Sequence, residues 1–168
     1  MSVGDVSMMG EWLTELEATA LAKALRNSVW SYPLVNAGHI LGVALLVGGM
    51  VPLDLRLLGA WRSVPLMPLW RVLTRTAGAG LALAVICGSL LFITRATEYA
   101  ASGLFIAKMV VVAIGATNAL AVRLVRLDKR LRLAPATENL PVWFRLVGGV
   151  SLLAWVAALS LGRLVGYF

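Results

Sequence analysis

The chain has few of the residues that usually build catalytic or metal sites. Its 168 residues include one histidine, His39, and one cysteine, Cys87. A single cysteine excludes a disulfide within the chain, and a single histidine excludes haem held by two histidines of the same chain. Too few nitrogen, oxygen or thiolate ligands accompany His39 for a zinc or cupric site. Because histidine-paired nucleophiles, paired carboxylates within a span and Gly-rich phosphate loops are also missing, a non-enzymatic role is favoured.

Charge is scarce as well. Only 14% of the residues are charged, 60% are hydrophobic and the mean hydropathy is +0.88, which is too apolar for a soluble domain. A chain of this length has room for about four membrane spans with short connections. The net charge of +7 falls mostly in two of those connections, a pattern typical of membrane topology. We therefore expect an all-α integral membrane four-helix bundle in contact with the lipid bilayer and no nucleic-acid partner.

Four apolar segments in residues 31–168 are long enough to cross a bilayer, at about 32–53, 76–94, 104–125 and 141–165. The first span lies in an uncharged run over 27–53. Pro52 is expected to kink its last turn, and Asp54 and Arg56 mark its exit. Residues 59–75 are expected to be a polar connection, and 96–103 a short turn.

Residues 1–30 precede the first span and are expected to hold one amphipathic helix. Apolar residues recur every three or four positions over 9–29, with acidic and basic residues between them. Such a helix lies in the plane of the membrane interface or docks onto a partner subunit.

The basic residues predict how the chain is oriented in the membrane. Nine follow the first and third spans, namely Arg56, Arg62, Arg71, Arg75, Arg123, Arg126, Lys129, Arg130 and Arg132. Five lie on the other face, namely Lys23, Arg26, Arg95, Lys108 and Arg163. Because basic connections stay in the cytoplasm, both termini are expected to be periplasmic. Residues 1–10 contain no lysine or arginine, so a cleaved signal peptide is not expected.

His39 is the main candidate for a functional site, since an ionisable group inside a span suggests function. The helical rise per residue places His39 at a depth similar to that of Asn36 on the first span and of Lys108 and Met109 on the third. These residues are therefore expected to share a pocket in the outer leaflet. The candidate ligand-binding residues are His39, Asn36, Gly42, Lys108, Met109 and Asn118. Alternatively, His39 is a neutral structural residue bonded to a carbonyl or hydroxyl of a neighbouring helix, and Gly42 serves helix packing.

No cofactor is expected, although haem b or quinone between the first and third spans is an alternative. Haem would need a second axial ligand, and Met109 lies at a workable depth whereas Met50 does not. The first span carries a stripe of glycines, namely Gly38, Gly42 and Gly49. A second copy of the chain, packed against this stripe, could supply another His39. As a metal ligand, His39 is a weak candidate. Asp54 and Arg56 are expected to anchor the membrane exit by charge, with a gate or relay as the alternative.

Several short motifs resemble those of a known family. They are Trp30-x-Tyr32-Pro33, His39-x-x-Gly42, Asp54-Leu-Arg56-Leu-Leu-Gly59, Phe105-x-x-Lys108 and Asn118-Ala119. Over about residues 28–125 the chain resembles an uncharacterised family of small bacterial four-helix inner-membrane proteins, which is distantly similar to the copper-resistance D proteins. The resemblance implies the fold and a bacterial inner-membrane location. Members often carry a second histidine after the Asn-Ala pair, where this chain has Val122-Arg123, so a paired-histidine site is not implied here.

Three functions follow as hypotheses. The first is a non-enzymatic accessory or ligand-binding module with a polar outer-leaflet site around His39, working with a membrane-protein partner or as a homo-oligomer. The second is an electron-transfer protein that binds haem b or quinone. The third is a transporter of copper or another small solute.

Overall fold

The computed structural model describes residues 3–124 and 141–167, and these ranges are helical without any strand. In chain order the helices are α1 (Val3–Ala18), α2 (Ala20–Asn27), α3 (Ser31–Leu58), α4 (Leu66–Thr94), α5 (Ala96–Ala101), α6 (Gly103–Leu124) and α7 (Val142–Leu164). The predicted all-α fold is confirmed.

The four long helices α3, α4, α6 and α7 are the predicted membrane spans. Each contains an 18-residue window with a mean hydropathy between 1.8 and 2.1. Even the shortest, α6 with 22 residues, extends about 33 Å at the usual helical rise, which exceeds the roughly 30 Å of hydrocarbon. The chain is therefore a multi-pass membrane protein built as a four-helix bundle.

The connection between the first two spans is much shorter than predicted. Helix α3 continues through Pro52 to Leu58, where Gly59 ends it in the left-handed conformation with φ 112°. Helix α4 already begins at Leu66, after Pro65, and includes Pro68 in its first turn. Proline is tolerated there because the first amides of a helix have no intrahelical acceptor. Most of the predicted polar connection 59–75 is thus helical, and only 59–65 is not.

The remaining connections differ less from expectation. The predicted turn between the second and third spans contains the six-residue helix α5. Helices α6 and α7 agree with the predicted spans to within one or two residues. The basic residues predicted between them, Arg126, Lys129, Arg130 and Arg132, lie outside the described residues.

The long helices pack in the order α4, α3, α7, α6. Helix α3 packs against α4 and α7, and α6 packs against α7, whereas over the described residues α6 does not pack along α3 or α4. Helices α4 and α6 meet at one end through stacked rings, since the centroids of Phe92 and Phe105 are 5.6 Å apart and Tyr99 of α5 adjoins both. Trp155 of α7 is buried at the centre in a cluster with Leu46 and Ala77.

Glycines bring α3 and α4 unusually close together. A Cβ atom added to Gly42 would lie 2.5 Å from the Ala84 nitrogen, and one added to Gly49 would lie 2.9 Å from the Leu73 oxygen. Real Cβ atoms do not approach backbone so closely, so only glycine permits this contact. The glycine stripe of the first span thus packs against α4 of the same chain. This was one of two predictions for it, the other being contact with a second copy.

The N-terminal segment forms two helices instead of the single predicted helix. The break falls at Thr19, whose hydroxyl accepts a hydrogen bond from the Ala22 amide at 3.3 Å and caps α2. The pair packs over the ends of α4 and α5. The Glu17 carboxylate accepts two hydrogen bonds from Thr97, at 2.7 Å from its amide and 2.6 Å from its hydroxyl. Exposed apolar side chains remain on the outer surface, namely Met8, Trp12, Leu16 and Leu21.

Candidate functional site

His39 is held against α4 by one hydrogen bond. Its Nδ1 lies 2.8 Å from the carbonyl oxygen of Ala84, and the ring is half-buried. A carbonyl can only accept, so the Nδ1 proton is donated and the neutral ring keeps Nε2 as an acceptor. This is the bond that the structural interpretation of His39 predicted. It leaves Nε2 without a protein partner among the described residues, so a ligand at this nitrogen is compatible with the same geometry.

Gly88 of α4 makes room for the imidazole ring. A Cβ atom added there would lie 3.0 Å from Cε1 of His39 and 3.1 Å from Nδ1. This glycine thus accommodates a polar side chain from the neighbouring helix.

Lys108 of α6 lies at the same end of the bundle as His39. Its side chain is half-buried beside Gly162 of α7, where an added Cβ would be 3.6 Å from Nζ. Lys108 and His39 come from helices that do not pack against each other over the described residues.

The other candidate residues differ in their surroundings. Asn36 lies one turn before His39 on α3 and is exposed, and Met109 follows Lys108 on α6 and is 47% exposed. Gly42 is covered by the backbone of α4. Asn118 donates a hydrogen bond to the Val147 oxygen of α7 at 3.2 Å and lies ten residues, or about 15 Å along the helix, beyond Lys108. From the predicted set, the structure thus places His39, Asn36, Lys108 and Met109 toward the same end of the bundle, whereas Gly42 and Asn118 lie in helix–helix contacts.

Asp54 and Arg56 are both buried at the other end of α3, with exposed fractions of 1% and 6%. Arg56 donates from Nε to the Val64 oxygen at 3.0 Å and from Nη2 to the Arg62 oxygen at 3.1 Å. Among the ion pairs of the described residues, none joins Asp54 to Arg56. Arg56 therefore fastens the end of α3 to the following connection, whereas Asp54 is enclosed by the bundle.

Sequence reasoning missed two buried polar residues of α7. Ser151 and Trp155 are each 2% exposed. The Ser151 Oγ, the Trp155 Nε1 and the Asp54 Oδ2 have no hydrogen-bond partner among the described residues. The signal in the sequence was the spacing Gly148, Ser151, Trp155, which places the three on one helical face.

No group of three or more histidine, cysteine, aspartate or glutamate side chains that could hold a metal ion occurs in the described ranges. In comparisons with known proteins, no protein-family model, curated protein or solved structure matches the chain.

Proposed function

We propose that this protein is a non-enzymatic module of the bacterial inner membrane that binds a small, lipid-soluble ligand at His39. The observation that supports the proposal is the 2.8 Å contact between His39 Nδ1 and the Ala84 oxygen. This bond fixes the tautomer and the ring orientation, and it leaves Nε2 as an acceptor inside a membrane span.

The chemistry of the site defines a class of ligand. Nε2 of neutral His39 accepts a hydrogen bond, so the ligand carries a hydroxyl or another donor. The Lys108 ammonium donates, so the ligand also carries a carbonyl, carboxylate or phosphate oxygen. Helices α4 and α6 meet at the Phe92 and Phe105 rings but do not otherwise pack along each other over the described residues, so the approach for such a molecule is from the bilayer beside these rings. A small amphiphile with both groups fits this arrangement.

The proposed orientation places the His39 end of the bundle on the periplasmic side. It follows from the distribution of basic residues, with Arg62, Arg71 and Arg75 following α3 at the opposite end. The inner-membrane location rests on the family resemblance of the sequence motifs.

The test compares His39→Ala with Leu41→Ala, because Leu41 is 54% exposed and lies two residues further along α3, on the other side of the helix. Each protein is purified in lipid nanodiscs, and the small molecules extracted from it are identified by mass spectrometry. We expect His39→Ala to lose a species that the unsubstituted protein and Leu41→Ala retain. A lost hydrogen bond in membrane helices costs only about 0.6 kcal/mol on average, so the bundle should remain folded. Identical extracts from all three proteins would refute ligand binding at His39.

A second candidate is electron transfer with haem b or quinone, which would supply one-electron chemistry. It is favoured by the Nδ1 bond to a backbone carbonyl, since histidines that ligate metals are usually oriented in this way. Two axial ligands from one chain fit poorly, because Met109 is 47% exposed and α6 does not pack against α3 over the described residues. We expect purified protein to show no b-type haem absorption. A near-stoichiometric haem spectrum abolished by His39→Ala would make electron transfer the better proposal. Transport of copper is less supported, because the described residues offer no cluster of metal ligands.

A further inference from the structure

Asp54 lies at a close contact between α3 and α7. A Cβ atom added to Gly148 would lie 3.2 Å from the Asp54 backbone oxygen and 3.0 Å from the Cβ of Leu57. Ser151 is one helical turn further along the same face of α7. Its Oγ is buried there without a hydrogen-bond partner among the described residues, and so is the Asp54 Oδ2.

No positive charge of the described residues neutralises Asp54. Arg56 is on the same helix but directs its guanidinium to two carbonyls of the following connection. Helices α4 and α7 pack against α3, with Arg71 and Arg75 on α4 and Arg145 on α7. Val122 of α6 packs against the Leu57–Phe144 cluster and is followed by Arg123. None of these arginines forms an ion pair with Asp54 in the described structure.

An ionised carboxylate in this position would raise the free energy of the folded protein. Isolated charges buried in an apolar environment lose their hydration without compensation, and such groups normally become neutral instead. A metal cation would need about six oxygen ligands, whereas this position offers the Asp54 carboxyl and the Ser151 hydroxyl. A proton needs only one carboxylate oxygen.

We propose that Asp54 is a proton-binding site that is occupied at physiological pH, with Ser151 as the acceptor for the acid proton. Binding converts the carboxylate and one proton into the neutral acid, and its O–H then donates to Ser151 Oγ. Asp54 is four residues from the last residue of α3, which is about 6 Å along the helix. This short distance lets the proton exchange with water at that end of the bundle. The inference does not depend on a ligand at His39.

Infrared spectroscopy of the full chain in lipid nanodiscs tests the proposal, because a protonated carboxyl has a C=O band distinct from that of a carboxylate. We expect this band at neutral pH in the unsubstituted protein and in Glu98→Gln, which removes an exposed carboxylate. Asp54→Asn should abolish it. Ser151→Ala should shift the band without removing it, and transfer to deuterated buffer should lower its frequency.

Two outcomes would overturn the proposal. One is a neutral-pH spectrum without a protonated-carboxyl band that depends on Asp54. The other is a band that deuterated buffer leaves unchanged, which would mean a sealed structural acid. If Asp54→Asn does not fold, the band is assigned by 13C labelling of aspartate in Asp5→Asn/Asp128→Asn protein, where position 54 holds the last remaining aspartate. The absence of an isotope shift there would equally refute the assignment.

Discussion

Gly42 and Gly80 face each other across the contact between α3 and α4, and each occupies the space that a side chain on the other would need. A Cβ on Gly42 would lie 2.8 Å from the Gly80 oxygen, and a Cβ on Gly80 would lie 2.7 Å from the Gly42 oxygen. Close approach of two backbones is how membrane helices gain contact energy when lipid and side chains are equally apolar.

Gly42→Ala should therefore destabilise the bundle, because the new methyl group would meet backbone atoms that cannot move aside. Overpacking of this kind costs about 1–3 kcal/mol. Gly78→Ala is the matched control, since nothing lies within 4 Å of an added Cβ there. It should be neutral or stabilising by up to about 1 kcal/mol through helix propensity. Reversible unfolding in mixed micelles measures both, and equal effects would contradict the packing described here.

Arg56→Gln should weaken the attachment of the connection to α3. The guanidinium bonds two carbonyls, of Val64 and Arg62, and the loss should cost about 2 kcal/mol in unfolding free energy. Arg75→Gln removes an exposed arginine on the same side and should change stability by less than about 0.5 kcal/mol. If Arg56→Gln lowers the unfolding free energy no more than Arg75→Gln does, the hydrogen bonds of Arg56 do not stabilise the fold.

Acidification should release the N-terminal helices before the bundle unfolds. Two hydrogen bonds from Thr97 hold the pKa of Glu17 below its usual range, and the one from the hydroxyl contributes more than the one from the amide. A carboxylate with a lowered pKa stabilises the folded form above the ordinary glutamate pKa, and this contribution is lost as the pH falls through the lowered value. Hydrogen exchange in α1 and α2 should accelerate in that acidic range, while exchange in α3 and α4 should not.

The control for this pH dependence is Glu11→Gln, which removes an exposed carboxylate from the same helix. It should leave the acid-induced change intact, whereas Glu17→Gln should give fast exchange in α1 already at neutral pH. The same profile in Glu17→Gln and unsubstituted protein would exclude Glu17 as the cause.

The proposed orientation predicts opposite labelling of the two ends of α4. In a Cys87→Ala background, Ser63→Cys lies in the connection after α3 and Glu98→Cys lies in α5, and both positions are exposed. An impermeant thiol reagent added from the periplasmic side should label position 98 and leave position 63 unlabelled. The reverse pattern would invert the topology.

The sequence predicted the four spans well, and its errors in length are confined to the joined ends of α3 and α4, for a physical reason. An apolar run shows which residues suit the hydrocarbon layer, but a helix such as α4 extends beyond its apolar run, with Arg71 and Arg75 exposed on its surface. His39 could be predicted as a site residue because it is the single histidine of the chain. Ser151 and Trp155 could not, because serine and tryptophan are common in membrane helices and their burial depends on which face of α7 packs against α3.

The close contact between α3 and α4 also bears on how the protein is made. The residues that form this contact all lie within 31–94, and the two helices are joined by a seven-residue connection. This pair can therefore form a tight hairpin in the membrane while the rest of the chain is still on the ribosome. Helices α6 and α7 then emerge as a second hairpin, and α7 joins the first one through α3. The order of synthesis thus matches the order in which the contacts become available.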